Sequence, residues 1–450
     1  MMTAAAALSV LPQSHAFELN DLVRKKLDCP GTQLSPAESR SCLVSCIRHG
    51  KAAARLAEGK RAVVVLGNTG AGKSAFINYL HGCVFAYEDE DKMVVRADSP
   101  VAELMRIGHT CSSETFAPQV EDATASLGPG YAFADCPGFL DNRGFEINVA
   151  NAVNVRHTAA AATSAVVVVV INYYSLRADR GKGLHDLLRI LIGLFGSAEQ
   201  VRAHAQSVLL AIAQAPVSHP ETGAPTTLER VRRVLLSPAG LDKATAEVLG
   251  ALSSDNVLLF HLLGRGDASW CRREAIIAQL QRLPPIAAPS HLFQAVLSSA
   301  DKEELRDLVA EIGREIRSCL GAGEAGYARA AALVAELLEL RIVDHGFVAS
   351  LVAEEVQGAV EERVAEVGAV VGAVFVDGAL DGADEVEDAR RLEEARAALH
   401  SVRQMLAAFA GVEEVAAQLD GSIAETAAMI ARAERRPPIS PHISRSLPIS

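Results

Sequence analysis

Residues Arg61–Leu80 read RAVVVLGNTGAGKSAFINYL, and the fold follows from how that stretch divides. Ala62–Leu66 is an unbroken apolar, β-branched run of the kind that forms a strand buried on both faces. Gly67-Asn68-Thr69-Gly70-Ala71-Gly72-Lys73-Ser74 then matches G-x-x-x-x-G-K-S/T at every fixed position. Ala75–Leu80 continues as the first turns of a helix. Glycines let the backbone turn its N–H groups inward around phosphate oxygens, and the helix N-terminus adds partial positive charge at the same point. In such a loop the lysine, here Lys73, reaches the β- and γ-phosphates of a nucleotide, and the serine hydroxyl, here Ser74, ligates magnesium. Gly67 through Ala75 are therefore the expected phosphate-binding residues.

Outward from this stretch, strand and helix patterns alternate from Arg61 to Pro285. Strands are expected at Ala62–Leu66, Ala132–Asp135, Ser164–Ile171, Ser207–Ala213 and Asn256–Leu263. Helices are expected near Lys73–His81, Glu146–Ala161, Gly183–Phe195 and Thr227–Leu249. The alternation implies an α/β domain whose mostly parallel sheet is covered on both faces. Thr115–Asp122 would add an antiparallel strand, and Pro118 within it suits an edge. Upstream, Met1–Pro36 reads as mostly disordered, with a short helix near Phe17–Leu27. A helix from Pro36 to Glu58 follows, presenting Leu43, Cys46, Ile47 and Ala54 on an apolar face.

From Ile286 to Glu434 no convincing strand is seen. Leu305, Leu308, Ile312 and Ile316 repeat at helical spacing, as do Leu392, Ala395, Leu399, Val402, Leu406 and Phe409. Gly321–Gly326 and Val376–Gly382 would make corners. An intramolecular helical bundle is the expectation, with a dimerising coiled coil as the alternative. Arg436–Ser450 reads as an extended tail. The expected organisation is a 1–60 extension, a 61–285 phosphate-loop domain, a 286–435 all-α helical region and a 436–450 tail.

The 450 residues are 50% hydrophobic, enough for substantial cores, and the net charge of -12 argues against a protein that coats nucleic acid. The 8 cysteines include no C-x-x-C pair, which suggests neither a zinc site nor a disulfide framework. The purest apolar runs, Ala165–Ile171 and Val367–Val376, fall short of the roughly 20 residues of a membrane span. Arg24 is the first lysine or arginine, so Ala4–Leu11 lacks the basic flank of a secretory signal, and a cytoplasmic location is expected.

A second element refines the reading. Ala132–Asp135 is a strand that ends in a carboxylate, with Gly138 three residues on. Asp135 is placed to hold a magnesium-bound water, and Gly138 to offer its N–H to a γ-phosphate. At this point Asp135–Gly144, DCPGFLDNRG, resembles the D-T-P-G-F-x-D-x-R-G loop of septin-like, AIG1-like and related P-loop GTPases of the translation-factor-related class. The resemblance covers Arg61–Pro285 and implies a P-loop NTPase fold whose two mobile loops read the γ-phosphate. It also implies a first-loop threonine on magnesium. Thr115, in Ser113-Glu114-Thr115, is the first choice and Thr110 the alternative, with His109 a loop or core histidine. Lys73 and Thr115 would then be catalytic, and Ser74, Thr115 and Asp135 would hold Mg2+.

Two departures from the family pattern limit the claim. Phe139 stands where efficient small GTPases often carry a water-orienting glutamine, so hydrolysis is expected to be slow. The guanine-reading N/T-K-x-D motif should follow Ser207–Ala213, but Gln214-Ala215-Pro216-Val217-Ser218 has neither lysine nor aspartate. GTP or ATP therefore both remain open, and Asp267 is a weaker candidate for the base contact. Arg177, Arg180 and Lys182 concentrate charge on a loop that either meets a partner or caps the next helix. The expected function is a magnesium-dependent nucleotide switch coupled to the helical region. A non-hydrolysing scaffold and a septin- or dynamin-like self-assembling NTPase, associating through that region, are the alternatives. A nucleoside kinase ranks last, because it does not explain DCPGFLDNRG.

Overall fold

The computed structural model describes residues 20–29, 31–88, 92–108, 117–138, 144–176, 182–218, 223–235, 241–252, 256–263, 272–322, 324–340, 347–377, 385–408, 421 and 424–432. The chain forms two compact units, Met1–Leu305 and Arg306–Ser450.

The first unit opens with α1 (Asp21–Asp28) and α2 (Pro36–Ala54). The start of α2 is set by a capping box. Ser35 accepts from the Glu38 backbone N–H, the Glu38 carboxylate accepts from the Ser35 N–H at 2.9 Å, and Pro36 takes the first helical position. Leu43, Cys46, Ile47 and Ala54 are buried as expected, but so are Cys42 and Val44, so α2 is enclosed on more than one face. The alternating core follows: β1 (Arg61–Leu66), α3 (Lys73–His81), the hairpin strands β2 (Phe85–Tyr87) and β3 (Met93–Val95), β4 (Gln119–Asp122), α4 (Thr124–Leu127), β5 (Tyr131–Asp135), α5 (Phe145–Ala161) and β6 (Ser164–Asn172). It continues through α6 (Lys182–Leu194), α7 (Ala198–Ala203), β7 (Val208–Ala213), α8 (Leu228–Leu235), α9 (Lys243–Leu252), β8 (Val257–Phe260), α10 (Arg273–Arg282) and β9 (Ile286–Ala287).

The main sheet runs β4-β5-β1-β6-β7-β8, with β9 paired to β6. The pairs among β5, β1, β6, β7 and β8 are parallel, and β4 is the antiparallel edge anticipated from Pro118. Because side chains alternate along a strand, β6 feeds two cores. Ala165, Val167, Val169 and Ile171 face one, with Leu187 and Leu191 of α6 and Val248 and Leu252 of α9. Val166, Val168 and Val170 face the other, with Phe76 and Leu80 of α3 and Ile276 and Leu280 of α10. A strand apolar on both faces is thus explained by helices on both sides.

Four local expectations are corrected. The single helix expected at Thr227–Leu249 is two, α8 and α9; Pro238 and Gly240 lie between them, and proline disfavours helical backbone at the residue before it. The region after Pro285 is not strandless, because Ile286 and Ala287 pair with Ala165 and Ser164. The last parallel strand is shorter than expected, ending at Phe260. The helix break expected over Gly321–Gly326 is there but narrower, between α11 (Ser299–Gly321) and α12 (Glu324–Leu340); Gly326 lies inside α12, where a Cβ would collide with the Cys319 carbonyl of α11. Only glycine permits that approach.

In the second unit α12, α13 (Phe347–Asp377) and α14 (Glu385–Ala408) pack on one another, burying Leu337, Val360, Val364, Leu399 and Val402. Ile312 and Ile316 of α11 are buried as their spacing required. Among the described residues no helix is long and apolar enough to cross a membrane.

Candidate functional site

The carboxyl ends of β1 and β5 bring two loops together. In the parallel register Val65 lies opposite Asp135, and Leu66 opposite Val169. Gly67, next in line, passes so close to β6 that a Cβ would stand 2.5 Å from the Val170 carbonyl oxygen. Gly70 and Gly72 hold φ of +76° and +94°, the left-handed region that other residues enter only with strain. Gly72 caps α3, whose first bond runs from Phe76 N–H to the Gly72 carbonyl at 2.8 Å. Ala71 and Ala75 are buried beneath the turn, and Asn68 binds the Gly183 carbonyl through its side-chain amide at 3.3 Å. The first turn of α6 is thereby tied to the loop, a contact that pattern reading did not supply.

Lys73 lies back across this loop, donating to the carbonyls of Gly67 and Asn68, each at 3.1 Å. Its side chain is buried. Ser74, on the first turn of α3, donates its hydroxyl to Asp135 Oδ2 at 2.5 Å, across 61 residues of sequence. Asp135 is completely buried, and its other oxygen, Oδ1, has no hydrogen-bond partner among the described residues. Burial pushes the Asp135 carboxyl up, against the opposing pull of the Lys73 charge and the Ser74 hydrogen bond. Burial likewise raises the neighbouring Cys136 thiol, which is inert as a nucleophile in that state.

Gly138 touches the glycine loop itself. A Cβ on it would stand 2.7 Å from the Thr69 backbone nitrogen. The two expected elements therefore meet at Thr69, and glycine is the residue that lets them. Pro137 and Gly138 also border a cleft of about 240 Å³ with Asn148, Asn151 and Val155 of α5.

At the neighbouring strand ends, Asn172 donates to the Gln214 side-chain carbonyl at 2.8 Å, and Gln214 adopts φ of +57°. Ala213, the residue before it, has its Cβ 3.9 Å from where a Gly72 Cβ would be. Thr115, Thr110, His109, Phe139, Arg177, Arg180 and Asp267 lie outside the described residues, so the first-loop threonine and the loop basic pair have no placement. Lys182 opens α6 and is exposed.

Chemically, the arrangement offers a glycine turn at the N-terminus of α3, a buried ammonium, and a hydroxyl–carboxylate pair with one carboxylate oxygen lacking a hydrogen bond. Among the described residues no group of three or more His, Cys, Asp or Glu could hold a metal. The Ser74 hydroxyl and the Asp135 carboxylate are hard oxygen donors of the kind that could ligate a divalent cation such as Mg2+. The unpartnered Asp135 Oδ1 fits that use. No protein-family model matches this chain, and no curated protein matches it either.

Proposed function

We propose that this protein is a P-loop NTPase of the GTPase-like kind that binds GTP or ATP with Mg2+ and hydrolyses it slowly. One observation carries the reading: the Ser74 hydroxyl and the buried Asp135 carboxylate meet at 2.5 Å at the mouth of the Gly67–Ser74 loop, with Oδ1 left over. The strand order, with the loop leaving a central strand and an antiparallel edge at β4, supports the same fold assignment. On this reading the loop amides and Lys73 neutralise phosphate charge, and Ser74 and Asp135 would hold a cation that would add positive charge beside the phosphates. Gly138 offers its N–H to the terminal phosphate. Thr115 is the proposed first-loop contact to cation and phosphate.

The test is equilibrium binding of GTP and of ATP to the full chain, with Mg2+ and with chelator. Binding of at least one should require Mg2+. It should weaken by about tenfold or more in Lys73→Ala, since a charge-assisted hydrogen bond is worth about 1.5–3 kcal/mol. Binding of neither nucleotide would overturn the proposal. A second reading, a scaffold that holds nucleotide without turning it over, is favoured by Phe139, whose ring cannot orient water. Single-turnover phosphate release no faster than in Lys73→Ala would select it.

A further inference from the structure

The N-terminal helices are bonded to the first turn of α5. Lys26 Nζ and Glu146 Oε2 are 2.9 Å apart, with side chains 7% and 4% exposed. Ser39 on α2 donates to Glu146 Oε1 at 2.6 Å, and Lys26 also donates to the Thr32 carbonyl at 3.1 Å. Gly144, at φ of +110°, makes room for this cluster: a Cβ there would stand 2.7 Å from Lys26 Nζ and 2.9 Å from Glu146 Oε2. About two turns along α5, Asn154 donates to the Cys46 carbonyl at 3.0 Å, and a Cβ on Gly50 would collide with the Asn154 side chain. Taking both ions of such a pair out of water costs several kcal/mol each. The pair therefore contributes little net adhesion, and its yield is a single docked register for α1 and α2 on α5.

Gly144 of this cluster is six residues from Gly138 of the candidate site. Residues 139–143 are the only chain between Gly138 and Gly144. Gly138 and Pro137 also share a cleft wall with Asn148 and Asn151, the second turn of α5. Gly138 in turn rests on Thr69 of the glycine loop.

We propose that Lys26 and Ser39, acting through Glu146, are positioning residues that hold Gly138 at the glycine loop, so that docking of α1–α2 and occupancy of the terminal-phosphate position are coupled. This rests on the reading above, in which Gly138 meets the terminal phosphate of a bound nucleotide. A donor already in place loses less freedom on binding, and a diphosphate has no terminal group to reach it. The coupling thus raises affinity for the triphosphate alone. Being a coupling free energy, it is reciprocal: the triphosphate tightens the docking of α1–α2.

The experiment compares the full chain with the double variant Lys26→Met/Glu146→Gln, which removes both charges and strands neither. Gly144→Ala, which crowds the same point from the backbone, and the milder Ser39→Ala keep the test open if the double variant misfolds. Affinities are measured for a nucleoside diphosphate and for a non-hydrolysable triphosphate, with hydrogen exchange of α1, α2 and α5 in each state. Triphosphate affinity should fall by about tenfold, the range of ordinary allosteric coupling, while diphosphate affinity holds within about twofold. In the unaltered chain, α1 and α2 should exchange more slowly with triphosphate than with diphosphate. An unchanged ratio in folded variants, or equal losses for both nucleotides, would overturn the coupling while leaving the nucleotide reading intact. Failure of the unaltered chain to bind either nucleotide would take both down together.

Discussion

Two carboxylates eleven residues apart are both buried and both accept from a serine hydroxyl on one oxygen; they differ in what faces the other. Asp135 closes β5 and is fully buried; Glu146 opens α5 and is 3% exposed. Glu146 has the Ser39 hydroxyl on Oε1, while Oε2 has no hydrogen bond among the described residues and lies 2.9 Å from the Lys26 ammonium. Asp135 has a hydroxyl on one oxygen, and Oδ1 is left without a hydrogen bond. The nearby ammonium of Lys73 bonds to the loop carbonyls. A buried carboxylate closed by its own chain is a structural joint. One with no ion-paired partner on its second oxygen, at the carboxyl edge of a parallel sheet where such folds place their ligands, is on the proposed reading the one open to a ligand.

The comparison is broken most sharply at Lys26. Lys26→Met leaves Glu146 charged, buried and unpaired, and should destabilise the first unit by about 3–5 kcal/mol, read from denaturant unfolding. The double variant Lys26→Met/Glu146→Gln should recover most of that loss. A single-variant cost below the double's would mean that the two groups are not a pair. Next in size is Gly138→Ala, where the new methyl meets the Thr69 backbone. It should cost about 1–3 kcal/mol and lower triphosphate affinity more than diphosphate affinity, measured by calorimetry.

Asp135→Asn should behave in the opposite sense to Lys26→Met. Burial raises the Asp135 carboxyl above its ordinary 3.8, so the native state holds that proton more tightly than the unfolded chain does. Stability from this group is complete below pH 3.8 and is lost as pH rises through the native value. The asparagine variant, unfolded in chelator at neutral pH, should therefore match or exceed the parent by up to about 1 kcal/mol, while losing Mg2+-dependent nucleotide binding. A large loss of stability would show Asp135 to be a joint like Glu146.

An exposed carboxylate makes the smallest effect. Asp122, 52% exposed, is paired with Lys60 at 2.6 Å. The Lys60 bond, with Thr124 second, lowers its carboxyl from 3.8 to about 2. Its contribution is present above 3.8 and fades as pH falls through about 2. Screened by water, the pair is worth less than about 1 kcal/mol. Asp122→Asn should accordingly flatten the acid limb of the stability curve over that interval and leave the neutral-pH value nearly unchanged.

The contrast between the two carboxylates also marks what the sequence disclosed. Asp135 could be found because local pattern announces it: an apolar strand, a carboxylate, then glycine at a fixed distance. The same holds for Gly67–Ser74, whose glycines must occupy those positions for the loop to turn, and for the edge strand flagged by Pro118. Glu146 gave no such signal. Its partner Lys26 lies in the short helix expected near Phe17–Leu27, whose pattern does not say what its lysines meet, and the bond between them joins segments far apart in the chain. A buried ion pair at that separation leaves no periodicity to detect. The hairpin of β2 and β3 and the pairing of Ile286 with Ala165 were missed for a related reason, since runs of two or three residues fall below any period. The left-handed Gln214 was unreadable because glutamine carries no turn signature.

The two-residue strand β9 has a consequence for how the first unit ends. It turns the chain back at the amino end of β6. From there the segment runs along α6, where Gln294 N–H meets the Leu194 carbonyl at 2.7 Å and Phe293 packs on Phe195. It then reaches α5, where the Asn148 amide holds Asp301 at 3.1 Å. Asn148 is two residues from Glu146. In mechanical terms α5 is an axle with two straps on one end, one from the chain's beginning and one from the departure of the first unit. The two straps, at Glu146 and Asn148, lie about half a turn of helix apart.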